Sequence, residues 1–225
     1  MANREPFGVG EWYHCYNRGV EKRKTFEDER DANRFLMLLY LANTTKPVHL
    51  FDTHKPKLTK AFETDRGRPI VAVGAYCLMP NHFHLLLKEV NEGGITKFMS
   101  KIGTAYTMYF NARNKRVGNL FMKPFRSRHI GDDRYFQHVL EYIHCNPAEL
   151  YEPGWKAGKV RNARSLEGKL ISYPYSSFGS YTGNKAANPI LSSDGFEVAD
   201  QQPVSRMLED ARAYYAQIAD ADIER

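Results

Sequence analysis

With 225 residues, 42% of them hydrophobic, the chain can build one sizeable core domain and an extension. It has no apolar run near the roughly 18 residues that cross a bilayer, which excludes a membrane-spanning helix. Net charge is +6 but unevenly spread: Lys101 to Arg134 holds eight Lys/Arg against two Asp, whereas Leu191 to Arg225 holds eight Asp/Glu against three Arg. A basic middle of this kind suits a polyanionic partner. Cys15, Cys77 and Cys145 are odd in number and form no CxxC pair, and the start, MANREPFGVGEW, has no apolar signal core, so a cytoplasmic protein with free, buried thiols is expected.

In chain order, the aromatic-rich Trp12 to Asn17 predicts a first strand closed by Arg18-Gly19. From Asp28 the period becomes helical, with Ala32, Phe35, Leu36, Leu38 and Leu39 as an apolar stripe that fades at Asn43. Asn43 to Pro69 reads as a long surface connection or insertion, with room for a short strand near Val48 to Phe51. Ile70 to Leu78 and His82 to Val90 are short apolar runs joined by Pro80-Asn81. They predict an antiparallel hairpin in which Asn81 takes the left-handed turn position.

After Gly93-Gly94, the residues Ile95, Phe98, Met99, Ile102, Tyr106 and Tyr109 recur at helical steps, predicting a second helix to about Asn111. Leu120 to Ile130 predicts a fourth strand, on an edge or bulged because Pro124 sits inside it. Asp132 or Asp133 caps a third helix with the core stripe Phe136, Val139, Leu140 and Ile143, which Pro147 stops by disfavouring helical geometry at Asn146. The chain from Gly154 to Tyr181 looks irregular, and a last helix is expected from about Ser205 to Ile218. The order strand, helix, strand, strand, helix, strand predicts an α+β, ferredoxin-like βαββαβ sandwich with an antiparallel sheet. Residues 1–150 would form the core, with the 43–69 insertion, and 151–225 an extension that is irregular and then helical.

Within the hairpin, His82 and His84 share one strand face and Phe83 takes the other. Imidazoles inside an apolar strand are costly unless their nitrogens are satisfied, either by hydrogen bonds in a core or by a shared metal ion. The third helix carries Tyr135, His138, Tyr142 and Asn146 beside its core face, with Tyr142 and Asn146 neighbours at i, i+4. If that side faces the histidines, two imidazoles and an amide oxygen make a three-ligand site with open positions. An ion there would polarise a phosphodiester for attack by the nearby phenol. The plainer readings are a packing aromatic for Tyr142 and a helix C-terminal residue for Asn146.

The blocks AYCLMPNHFHLLL (Ala75 to Leu87), YTMYFNARNKRVGNLFMKPFRSR (Tyr106 to Arg128) and YIHCNP (Tyr142 to Pro147) resemble the single-tyrosine HUH transposases, in the branch of REP-associated tyrosine transposases. YHCYNRG (Tyr13 to Gly19) and YPYSSFGSYTG (Tyr173 to Gly183) extend the resemblance over about residues 12 to 183. It implies a ferredoxin-like fold, Mg²⁺ or Mn²⁺, and cleavage and rejoining of single-stranded or hairpin DNA through a 5′-phosphotyrosine in a bacterial, nucleoid-associated protein. Carried onto this chain, His82, His84 and Asn146 would be the metal ligands and Tyr142 the nucleophile, with monomer and homodimer both open. The connection at Asn43 to Pro69 is longer than the family pattern, and the tail after about Tyr181 departs from it.

Arg18, Arg113, Lys115, Arg116, Lys123, Arg126 and Arg128 are the expected phosphate contacts, with Tyr106, Tyr109 and Phe125 as stacking surfaces for unpaired bases. Two other functions compete. A non-catalytic hairpin-binding protein on the same fold would show salt-sensitive binding alone, and a metal phosphoesterase using water would leave no covalent adduct.

Overall fold

The computed structural model describes residues 6–46, 58–183, 188–200 and 202–219. Four antiparallel strands, β1 (Trp12–Arg18), β2 (Val71–Met79), β3 (His82–Glu89) and β4 (Arg126–Ile130), lie in the order β2-β3-β1-β4. Helices α1 (Glu29–Leu41) and α3 (Gly94–Arg113) connect them, with the short α2 (Leu58–Phe62) between α1 and β2. This is the ferredoxin-like βαββαβ arrangement, and it puts β3 and β1 in the centre. The suggested strand near Val48 to Phe51 falls outside the described residues.

Each connection has a local cause. Asp28 caps α1 by accepting from the Asp31 amide at 3.1 Å. Glu89, at the end of β3, accepts from the amides of Gly94 (3.0 Å) and Ile95 (2.6 Å), so a buried carboxylate meets the positive end of α3. At Gly94 a Cβ would lie 2.3 Å from the Ile70 carbonyl oxygen, which fixes how closely α3 approaches β2. The Asn43 carboxamide does the same for the end of α1. Its Oδ1 accepts from the amides of Ile70 (2.9 Å) and Val71 (3.0 Å), and its Nδ2 donates to the Val71 carbonyl (2.9 Å). Asn43→Ala strips three buried bonds from the start of β2, and an equilibrium denaturation curve should show a loss of about 2–3 kcal/mol.

The hairpin turn differs from expectation. Met79 pairs with His82 across Pro80-Asn81, but Asn81 is not among the residues with positive φ. The turn is held from outside instead: the Pro80 carbonyl accepts from Thr25 (2.8 Å) and Phe26 (3.1 Å), and the Asn81 carbonyl from Gly19 (2.8 Å). The fourth strand is shorter than predicted and begins beyond Pro124, with Phe121 joining the sheet only as a single bridge to Gly19.

One sheet face packs on α1 and α3 through Tyr13, Cys15, Val73, Leu78, Phe83, Leu85 and Leu87. The other is covered by α4 (Asp133–Cys145) and by later elements: α5 (Ala148–Tyr151), α6 (Ala163–Ser172), α7 (Phe178–Tyr181), α8 (Ser193–Val198) and α9 (Val204–Ala219). The stretch from Gly154 to Tyr181, expected to be irregular, therefore holds α6 and α7. It also protects the β2 edge. The Leu78 amide donates to the Tyr175 carbonyl (2.9 Å), Ser177 donates to the Tyr76 carbonyl (3.0 Å), and Ser192 reaches the Val73 carbonyl (2.9 Å). The bulge between Val73 and Ala75 lets Gly74 meet Trp12 on one side and Gly195 of α8 on the other, leaving no room for a Cβ. Cys15, Cys77 and Cys145 are buried free thiols, and among the described residues no helix is long and apolar enough to cross a membrane.

Candidate metal and nucleophile site

Strand register assembles a polar strip on the face beneath α4. Arg18 pairs with His82, Tyr16 with His84 and with Arg126, and His14 with Arg128. Because directly opposed residues share a face, these side chains stand together on one side of β3, β1 and β4. Helix α4 crosses above them, its N-terminus capped by Asp132 accepting from the Tyr135 amide at 2.7 Å. Asn146 keeps helical dihedrals (φ −53°, ψ −40°) despite the following Pro147, contrary to the sequence expectation. It thus remains one turn below Tyr142 on the same side.

The four residues singled out from the sequence come together. The Tyr142 ring lies 5.2 Å from the His84 ring, edge to face, and the His82 and His84 rings are 5.1 Å apart. Asn146 Oδ1 lies 3.2 Å from His82 Nε2. Tyr142 and His84 are buried, at 2% and 1% exposure.

Proton positions follow from the partners. His82 Nδ1 faces Asn81 Oδ1 at 2.7 Å, an acceptor that requires the ring proton on Nδ1. Desolvation holds the His82 pKa down to about 4, reinforced by the Arg18 charge although the Asn146 contact opposes it, so the ring carries one proton. Its Nε2 lone pair then faces the lone pairs of Asn146 Oδ1. His84 Nδ1 lies 2.9 Å from His14 Nε2, while His84 Nε2 is buried with no hydrogen-bond partner. Burial first, then the neighbouring imidazoles, holds His84 well below its ordinary pKa. With both rings neutral and their protons on Nδ1, the two Nε2 lone pairs and the Asn146 oxygen would be free of protons. Two neutral imidazoles and an amide oxygen fit a divalent cation and leave its charge undiminished for a phosphate. Among the described residues no cluster of three or more His, Cys, Asp or Glu is arranged to hold a metal.

The expected phosphate contacts divide. Arg18, Arg126 and Arg128 stand on the strip, half-buried, and Arg128 reaches the hydroxyls of Tyr16 and Tyr135. Lys115 and Lys123 are exposed on the loop between α3 and β4, whereas Arg116 is tied back to Asn111 Oδ1 (2.6 Å). Arg113 differs from expectation. It is held on the opposite sheet face by Asp28 (2.9 Å) and by the buried Asp31, so its guanidinium is committed to joining α3 to α1. Of the expected stacking surfaces, Tyr106 is fully buried in the α1/α3 core and Tyr109 donates to Asp31 (3.0 Å), so neither is placed for bases.

Sequence reasoning missed His14, Tyr16, Lys156 and Tyr214. His14 and Tyr16 alternate with Cys15 in WYHCYN, a signal for a shared face, but their meeting with His84 depends on strand register. Lys156 sits within electrostatic reach of both His82 and His84, while the Tyr214 ring of α9 lies tilted at 57° and 5.0 Å from the Tyr142 ring, and its hydroxyl reaches His14 Nδ1 at 3.0 Å.

Residues 43–146 match the model of the family described as IS200-like transposase, which bears out the resemblance drawn from the motifs. The chain matches no curated protein. A solved structure, that of a REP-associated tyrosine transposase bound to a REP hairpin, matches with a TM-score of 0.50 and 14% identity, covering 90% of this chain and 98% of that one. At that identity the match speaks for the fold.

Proposed function

We propose that the chain cleaves and rejoins single-stranded or hairpin DNA in the cytoplasm by metal-dependent transesterification, with Tyr142 as nucleophile. The observation that carries this reading is Asn146 Oδ1 at 3.2 Å from His82 Nε2, with the His84 ring, whose buried Nε2 has no hydrogen-bond partner, 5.1 Å from the His82 ring and 5.2 Å from the Tyr142 ring. His82, His84 and Asn146 would hold Mg²⁺ or Mn²⁺, and the bound ion would supply Lewis-acid polarisation of the scissile phosphate. The imidazoles favour Mn²⁺ over the harder Mg²⁺.

The chain's own residues do the rest. Arg18, Arg126, Arg128 and Lys156 surround the donors with positive charge, drawing a phosphate into the cleft, while Lys115 and Lys123 hold more distant phosphates. Tyr142 Oη attacks phosphorus, the Oη–P bond forms and the bond from phosphorus to the 3′ oxygen breaks. The phenolic proton ends on the departing 3′ hydroxyl, leaving a 5′-phosphotyrosine that stores the ester for rejoining. No nucleotide cofactor is required. The structural neighbour, described as bound to a REP hairpin, supports a hairpin as the substrate form.

A second reading, a hairpin binder that does not cleave, has one observation in its favour: Tyr142 is buried beneath Tyr214, so a strand reaches it only when α9 shifts. Incubation with a hairpin oligonucleotide and Mn²⁺ separates the two. The proposed chemistry yields a protein–DNA adduct that survives denaturation and does not form when EDTA is present from the start. Salt-sensitive binding with no adduct favours the binder, and cleavage without an adduct favours water as nucleophile.

A further inference from the structure

His84 can present Nε2 to an ion only if its proton sits on Nδ1, and in a neutral imidazole that choice is made by whatever faces Nδ1. Here the partner is not the usual carboxylate or carbonyl but a second imidazole, His14 Nε2, at 2.9 Å. The pairing admits two polarities. In the one that leaves His84 Nε2 without a proton, His84 Nδ1–H donates to His14 Nε2, and His14 carries its own proton on Nδ1 and donates to the Tyr214 hydroxyl at 3.0 Å. The Tyr214 hydroxyl has Tyr135 as its onward partner, and Arg128 in turn reaches Tyr135. In that polarity the donors from His84 to Tyr214 point away from the metal side, and the Arg128 guanidinium, which can only donate, closes the chain at the Tyr135 hydroxyl. The reverse polarity would place a proton on His84 Nε2, the atom the structure leaves buried with no partner. His14 is fully buried between the His84 ring and the Tyr214 hydroxyl, so its Nε2 has His84 Nδ1 as its partner.

We propose that His14 is a positioning residue that selects the metal-binding tautomer of His84, and that Tyr214 of α9 anchors His14 in that role. The inference rests on the metal site proposed above and extends it: one ligand's readiness is set from a helix outside the βαββαβ core. Asn81 does for His82 what His14 does for His84, but Asn81 belongs to the hairpin itself and has no link to α9.

The test is Mn²⁺ binding to the DNA-free full-length protein, followed by the electron paramagnetic resonance of unbound Mn²⁺. His84→Ala should abolish the site. His14→Phe, which keeps a planar ring but offers no acceptor, should weaken binding about 10–100-fold, and His14→Gln, whose amide oxygen can accept from Nδ1–H, should recover most of it. If His84→Ala binds Mn²⁺ like the wild type, the metal-site reading itself fails. If His84→Ala loses the ion but His14→Phe retains full affinity, only the positioning role fails. A second measurement needs no core substitution: ¹⁵N shifts of the metal-free wild type should report Nδ1–H on both His84 and His14. A proton on His84 Nε2 overturns the proposal. In Tyr214→Phe the His14 ring should lose its fixed tautomer, and an unchanged His14 spectrum overturns the part assigned to α9.

Discussion

Tyr142→Phe is expected to abolish the covalent protein–DNA adduct, with strand cleavage falling by a factor on the order of 10⁴ or more, while hairpin affinity stays as in the wild type. The substitution removes one oxygen from a ring that is otherwise kept by packing against His84 at 5.2 Å, His14 at 5.8 Å and Tyr214 at 5.0 Å. Those ring contacts survive the substitution, and the cationic strip of Arg18, Arg126 and Arg128 is untouched. Gel retardation measures binding and denaturing electrophoresis measures the adduct, so the two effects are read separately. Persistence of an adduct would move the nucleophile to another phenol, and Tyr135 and Tyr214, which face the same cleft, would be the first to replace in turn.

The second large effect concerns stability and runs against the simplest reading of the sequence. Arg113→Met should cost about 2–4 kcal/mol of folding free energy, because it leaves the carboxylate of Asp31, 0% exposed, buried without its cation. The lower end reflects the guanidinium's own 26% exposure, which lets water replace part of the interaction. Adding Asp31→Asn to the same variant removes the stranded charge and should restore much of the loss. Hairpin affinity of the folded Arg113→Met protein should be unchanged. A drop in affinity beyond what partial unfolding explains would return Arg113 to the phosphate contacts.

That contrast marks how much could be read without coordinates. The hairpin, the pairing of His82 with His84 on one face and the stripe from Tyr142 to Asn146 are local, following from periods of two and of 3.6, and all are in place. The fourth strand was legible only as far as its Pro124 allowed. Arg113 was not, because a basic residue at a helix end looks alike whether it meets solvent, a phosphate or an aspartate 82 residues earlier in the chain. His14 was hidden for a similar reason: its contact with His84 spans 70 residues and depends on strand register. The layer formed after Asn146 was the hardest to anticipate. Helices α6 to α8 are short, with few apolar residues to mark them, such as Leu166 and Leu170 of α6, and Tyr173, Ser177 and Tyr181 attach the segment to the β2 backbone by hydrogen bonds to Leu78, Tyr76 and Gly74.

The most direct measurement is to form the adduct with a hairpin oligonucleotide and Mn²⁺, digest it, and locate the nucleotide by mass spectrometry. The account predicts a 5′-phosphonucleotide on the peptide containing Tyr142, with fragmentation placing it on that phenol. A nucleotide on any other residue, or cleaved DNA with no modified peptide, would contradict it.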